Sequence, residues 1–263
     1  MNMRTDSLTD QRFGRVFPIF EDESAYFAKN IQVDRRADVL DIGTGSGILA
    51  IAAAQEGAEV VAVDRNPRAI SFAMRNAARN RVRSKIRFLL GDGLEPVAGM
   101  FDLITCNPPF NITPPGQKGA LFSDGGPDGL RLARRILRQA PRHLRPAGKL
   151  QMIVMSPGTG ERPAVMDMVR RHFPHAMVEC TSLFPPTPLR PILQATLKGR
   201  YPAFVRDLCS RYTTYFYLFI TIHSGRRREV RWLPTPSFRR SRYAGSWEGR
   251  VRRRRVILGY ARR

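Results

Sequence analysis

The sequence predicts a doubly wound α/β fold, a parallel sheet with helices on both faces. Three observations predict it. Short apolar segments alternate with amphipathic ones from residue 38 to about residue 180. The first apolar segment runs into a cluster of glycines, and acids stand at the ends of the first three. Alternation of this kind implies strands joined by helical crossovers, and therefore parallel pairing.

In chain order, ADVLDIG (37–43) is an apolar strand ending in glycine, and GILAIAAAQEG (47–57) is the helix after it. EVVAVD (59–64) is the second strand. PRAISFAMRNAARN (67–80) is a helix with proline in its first turn, where no backbone N–H is missed. KIRFLLGD (85–92) and FDLITC (101–106) are strands. From Gly129 to about Leu144, apolar residues at 130, 133, 136, 137 and 140 mark one helix face, with Arg131, Arg134, Arg135 and Arg138 outward. KLQMIVM (149–155) is the next strand, SPGTG (156–160) a loop, ERPAVMDMVRRHF (161–173) a helix and AMVECTSL (176–183) a strand. YTTYFYLFITI, aromatic and β-branched, is a further buried strand. Between these last two, Phe184 to Tyr212 contains five prolines and reads as an inserted lobe.

The expected organisation is thus an N-terminal lid segment (1–36), a main domain (37–223, with the lobe at 184–212) and a C-terminal tail (224–263). That tail holds fourteen arginines and two acids, and the whole chain carries a net charge of +22 with 39 Arg against 5 Lys. Such a bias fits either a GC-rich genome or a surface for nucleic acid, the ribosome or an acidic protein. No apolar run reaches the roughly 20 residues of a membrane helix, and MNMRTDSLTDQ has no secretory signal, so a cytoplasmic protein is expected. Cys106, Cys180 and Cys209 are scattered, and His143, His172, His175 and His223 have no metal-ligand spacing. No metal is expected.

After the first strand comes Asp41-Ile-Gly43-Thr44-Gly45-Ser-Gly47. Glycines there let the backbone approach a ligand at a helix N-terminus. A dinucleotide fingerprint needs its third glycine at position 48, where Ile48 stands, so NAD(P) is the weaker alternative. GxGxG with an acid two residues upstream suits S-adenosylmethionine (SAM): Asp41 faces the ammonium, and backbone N–H groups receive the carboxylate. Asp64 at the second strand end, with Arg65 beside it, is placed for the ribose hydroxyls, and Gly91-Asp92-Gly93 at the third for the adenine edge. Together these give a Rossmann-like, seven-stranded methyltransferase sheet.

The fourth strand ends in Asn107-Pro108-Pro109-Phe110. Two prolines cannot continue a sheet ladder, so the stretch is either a rigid turn or a loop fixing one amide and one ring for catalysis. With NPPF, the downstream SDGGPDGLRLARRIL (123–137) and the upstream VFPIFEDESAYFAKN (16–30), the chain resembles the HemK/PrmC group of glutamine N5-methyltransferases. It is most similar to the short branch without an N-terminal helical bundle, although Phe110 stands where that group usually has Tyr. The resemblance runs from about Phe17 to Met155 and implies SAM as cofactor. It also implies that Asn107 and Pro108 accept hydrogen bonds from a planar nitrogen, while Phe110 covers it. In that setting Asn107 also borders the cofactor. Glu21, Asp22 and Glu23 read as a solvated helix start. A small-molecule methyltransferase, with Phe184, Pro185, Tyr201, Phe204 and Tyr212 walling a pocket, and an RNA or DNA amino-methyltransferase anchored by the tail are the alternatives. A binding module without activity is a fourth possibility. The acceptor is a protein or small molecule, no membrane is involved, and the oligomeric state is open.

Overall fold

Asp38–Ile42 (β1) is buried along nearly its whole length, as a central strand must be, and it pairs in parallel with Glu59–Asp64 (β2) and Phe101–Cys106 (β4). Ile86–Leu90 (β3) adds to the far side of β2, also in parallel. The computed structural model describes residues 1–5, 16, 23–117, 119–225 and 228–236. On the other side of β4 lies the long strand Leu144–Thr159 (β5), again parallel. Arg162–Pro163 (β6) folds back on its end as a short hairpin. Ala176–Pro188 (β7) runs in the direction of β5, and Thr214–Ser224 (β8) is threaded between them, antiparallel to both.

Glu229–Leu233 (β9) pairs in parallel with β7 and closes the order β3-β2-β1-β4-β5-β8-β7-β9. The sheet therefore has nine strands against the seven expected. Both additions come from segments assigned otherwise: β6 opens the helix expected from 161, and β9 falls within the expected tail. SPGTG, expected as a loop, is the end of β5, because β8 pairs with it residue by residue as far as Gly158. The alternation rule holds for β1–β2, β2–β3 and β4–β5, which are joined across helices and pair in parallel.

Ile48–Gln55 (α2) is almost wholly Ala, Ile and Leu and is buried on all sides. Pro67–Arg79 (α3) starts where sequence says it should: Asn66 caps it by accepting from the Arg68 N–H at 3.0 Å, and Pro67 fills the first helical position. These two helices, with Ser24–Lys29 (α1), Leu189–Leu197 (α6) and Pro202–Arg211 (α7), cover one face of the sheet. Arg131–Gln139 (α4) and Ala164–His172 (α5) cover the other, α4 through Ala133, Ile136 and Leu137. α6 and α7 are the Pro-rich lobe.

Two buried amides fasten the N-terminal strands of chain to this frame. Gln151 donates to the Asn30 carbonyl and to Thr221, and accepts from the Gln32 N–H. Asn76, fully buried, donates to the carbonyls of Ser46 (2.8 Å) and Arg4 (2.9 Å). Ser46 belongs to the glycine loop, so α3 holds that loop from behind. Replacing Asn76 by Ala leaves buried carbonyls without donors and is expected to lower stability by about 1–3 kcal/mol. Denaturant unfolding measures it, and an unchanged midpoint would contradict the role.

Candidate active site

At the C-terminal ends of β1, β2 and β4 the sheet opens into a cavity of about 500 Å³. Gly43, Thr44, Gly45, Asp64, Arg65, Asp92, Gly93, Asn107, Pro108 and Phe110 line it, as the sequence suggested, together with Glu23. Asp41, Gly47 and Gly91 do not. Gly47 has φ of 85° and a side chain there would meet Ala73 at 3.0 Å, so its role is to let α2 pack on α3. At Gly91 a side chain would collide with Pro96.

The glycine loop differs from expectation in its polarity. Its N–H groups at Gly43 and Thr44 both donate to the Val63 carbonyl, that of Gly45 to Asp64 Oδ2 at 2.9 Å, and that of Gly47 to the Thr44 carbonyl. Those of Gly43, Thr44 and Gly45 stitch β1 to the end of β2. Asp64 is correspondingly committed, its Oδ1 accepting from the Asn66 N–H; burial still pushes its carboxyl above the usual range. Asp92 is held by Arg135, with bonds of 2.5 and 3.1 Å, and its carboxyl is lowered by that guanidinium. Arg135, expected to face solvent from α4, crosses to the site.

What the site does offer is a set of orphaned acceptors and donors. Among the described residues only three buried side-chain polar atoms have no hydrogen-bond partner: Asp41 Oδ2, Thr44 Oγ1 and Asn107 Oδ1. Buried polar atoms are rarely left so, and all three stand at the ends of the adjacent strands β1 and β4. Burial raises the Asp41 carboxyl to about 6, offset in part by the nearby hydroxyls of Thr44 and Thr105, of which Thr105 bonds Oδ1 at 2.9 Å. The Thr44 hydroxyl, which acts on this carboxyl, lines the cavity, while Asp41 itself does not. With Thr44, Gly45, Asp64 and Asp92 on its wall, the cavity fits SAM.

The NPPF loop is set from three sides. Asn107 donates through Nδ2 to Glu23 Oε1 at 3.1 Å, and Glu23 Oε2 accepts from the Tyr217 hydroxyl at 2.6 Å. Glu23 is 2% exposed, not the solvated helix start its two acidic neighbours suggest; Glu21 and Asp22 lie outside the described residues. Tyr215 donates to the Phe110 carbonyl, and the Tyr217 ring meets Phe110 edge-on at 5.8 Å while stacking on Phe184. From the third side, the stretch after the loop folds back: Asn111 N–H donates to the Ser123 carbonyl, Gly125 N–H to the Asn111 carbonyl and Thr113 N–H to Gly126. A side chain on Gly125 would sit 2.7 Å from the Phe110 backbone, so only glycine permits this approach. Phe184, Pro185, Tyr201, Phe204 and Tyr212 do not line the cavity. Phe184, Phe204 and Tyr212 pack against the core of this face, and Tyr201 bonds Gln117. Among the described residues no cluster of metal ligands occurs.

Glu23, Arg135, Tyr215 and Tyr217 are thus the site residues missed in the sequence. For Glu23 the one available signal was an acid directly before an apolar helix. The tyrosines lay hidden in a strand that reads simply as core.

The chain matches the methyltransferase small domain family over residues 19–178. A Methanocaldococcus jannaschii protein assigned as a protein N5-glutamine methyltransferase is 37% identical over 149 residues, 55% of this chain and 74% of that one. A release factor glutamine methyltransferase of Gloeobacter violaceus is 36% identical, over 51% of this chain and 50% of its own. A ribosomal protein uL3 glutamine methyltransferase of Bradyrhizobium diazoefficiens is 42% identical, over 43% of this chain and 39% of its own. The matched stretch spans about half or less of these two bacterial relatives.

Asp41 titrates with a definite sign. Its folded-state pKa of about 6 lies above the ordinary 3.8, so the folded protein holds this proton more tightly and loses stability as pH climbs between those values. The loss is on the order of 3 kcal/mol above pH 7 without ligand. Asp41→Asn is expected to remove that fall and to weaken SAM binding at least tenfold. Thermal midpoints from about pH 3.5 to 7 and calorimetric titration read the two effects; a wild-type pH profile in the variant would refute the assignment.

Proposed function

Because the chain belongs to the methyltransferase small domain family, we propose that it methylates a planar nitrogen from SAM, specifically the side-chain amide of a glutamine in a protein. The observation that carries this is the orientation of Asn107. Its NH2 end is held by Glu23, and its Oδ1 is buried with no partner. The amide can therefore present only an acceptor, and what it lacks is an N–H donor. An amide NH2 supplies two, one for Asn107 Oδ1 and one for the Pro108 carbonyl beside it.

Those two bonds would hold the nitrogen at fixed distance and angle, and positioning of this kind provides much of the rate in a methyl transfer. An amide nitrogen is a poor nucleophile because its lone pair is conjugated with the carbonyl. Drawing both N–H groups out of the amide plane reduces that conjugation. Phe110 lines the same cavity and offers its ring to the flat face of the acceptor and to developing positive charge. When bound, SAM supplies a methyl group activated by its sulfonium. The prolines and the Gly125 contact keep the acceptors preorganised, so no loop has to reorganise at the moment of reaction.

The relatives named as glutamine methyltransferases support a protein acceptor. Radiolabelled SAM given to a cell lysate with the enzyme is expected to place label in protein, released as methylamine on acid hydrolysis. Label in small molecules or in nucleic acid would overturn the proposal. Asn107→Ala is expected to lower kcat by about 10²–10³ while SAM affinity stays within threefold. Glu23→Gln, which lets the Asn107 amide turn over, should lower kcat about 10–100-fold, the cost of one misdirected hydrogen bond. Loss of SAM binding in parallel with kcat would count against both roles.

A further inference from the structure

The inner side of α3 carries a second arrangement, which reaches the site from behind. Ala69, Ala73, Asn76 and Ala77 are its buried residues, and Asn80 caps its C-terminal end one turn beyond Asn76. Both asparagines bond the main chain of the N-terminal arm. Asn76 Oδ1 accepts from the Arg4 N–H at 3.0 Å, while its Nδ2 donates to the Arg4 carbonyl at 2.9 Å. Asn80 does the same to Asn2, accepting from the N–H at 2.9 Å and donating to the carbonyl at 2.8 Å. Each amide grips one residue by both of its backbone groups.

Spacing explains the pairing. Four helical residues rise about 6 Å, and two residues of an extended chain advance about 6.6 Å. Alternate residues of an extended chain turn N–H and C=O to the same edge, so residues 2 and 4 meet Asn80 and Asn76 in register. Asn2 and Arg4 are exposed, and Met3 packs against both buried clusters on this face of the sheet. The arm is therefore held through its backbone. It runs antiparallel to α3, toward the glycine loop.

Asn76 is where the arm meets the cofactor side of the site. Its second Nδ2 hydrogen goes to the Ser46 carbonyl at 2.8 Å, and Ser46 is buried and lines the cavity. The oxygen and nitrogen ends of an asparagine amide are nearly alike in shape, so only its partners decide which way it faces. The Arg4 N–H and carbonyl select the orientation that gives Ser46 a donor. The reverse orientation would set Asn76 Oδ1 against the Ser46 carbonyl oxygen.

We propose that residues 2–4 are positioning residues for the cofactor. Docked on Asn80 and Asn76, they fix the Asn76 amide, and through it the part of the glycine loop that lines the cavity. Arm docking and SAM binding therefore strengthen each other. The linkage acts through backbone groups, so the identities of the Asn2 and Arg4 side chains do not enter it. It concerns the cofactor alone and holds whichever nitrogen is methylated.

Two measurements on the full chain test this. Arg4→Pro removes the N–H that fixes Asn76 Oδ1, whereas Arg4→Ala keeps the backbone and removes only the side chain. Calorimetric titration is expected to show SAM affinity weakened about fivefold or more in Arg4→Pro, the low end of coupling between sites. Arg4→Ala should stay within about twofold of wild type, and so should Val169→Ala, a control for lost stability in the core of the opposite face. Because such coupling is reciprocal, saturating SAM is expected to slow tryptic cleavage after Arg4 of the wild-type chain about threefold or more. Mass spectrometry reads that rate as release of residues 1–4, relative to cleavage after the exposed Arg200. Wild-type affinity in Arg4→Pro overturns the proposal, as does an equal loss in Arg4→Ala or Val169→Ala. So does a relative cleavage rate that SAM leaves unchanged. Asn2→Pro, which removes the outer N–H at an exposed position, supplies the same reading if Arg4→Pro fails to fold.

Discussion

One buried carboxyl group organises the catalytic end of this molecule. Glu23 receives the amide of Asn107 on one oxygen and the hydroxyl of Tyr217 on the other. It therefore decides which end of the Asn107 side chain faces the cavity. An unassisted asparagine presents donor or acceptor with little preference; this one presents an acceptor. The aromatic layer behind it then follows, because Tyr217 is fixed by the same carboxyl group and carries Phe110 on its edge and Phe184 on its face. The orientation of the Asn107 amide is thus set by a second residue, Glu23.

The glycine loop shows a comparable division of labour. Its N–H groups at Gly43, Thr44 and Gly45 join two strands, and its shape is held from below by Asn76. Such a loop is rigid before anything binds. The cost is a buried Asp41, whose carboxyl group is raised by its removal from water.

Much of this was legible in the sequence, and what was not has physical reasons. The strand–helix alternation, the cap at Asn66 and the NPPF loop depend on neighbours in the chain, and local pattern carries them. The direction of the glycine-loop N–H groups depends on the Val63 carbonyl, twenty residues away, and no motif spacing records it. SPGTG contains every signal of a loop, yet β8 makes it a strand by pairing along its length. Glu23 sits in a run of acids that ordinarily marks solvent, and its burial is decided by a tyrosine 194 residues later. β9 is short, charged and exposed, so nothing in its own residues separates it from tail.

The position of β8 also has a consequence in time. Strands β5 and β7 cannot be joined until Thr214–Ser224 is threaded between them. On a ribosome, the glycine loop, NPPF and both halves of the frame emerge well before that strand is made. Until it arrives, Glu23 lacks the Tyr217 hydroxyl and the Phe110 carbonyl lacks Tyr215. Long-range closure of this kind is the slow step of β-rich folding. A nascent chain therefore completes the setting of its NPPF loop only after Thr214–Ser224 has been synthesised, and a product cut short before that strand carries the motif without the geometry that holds it.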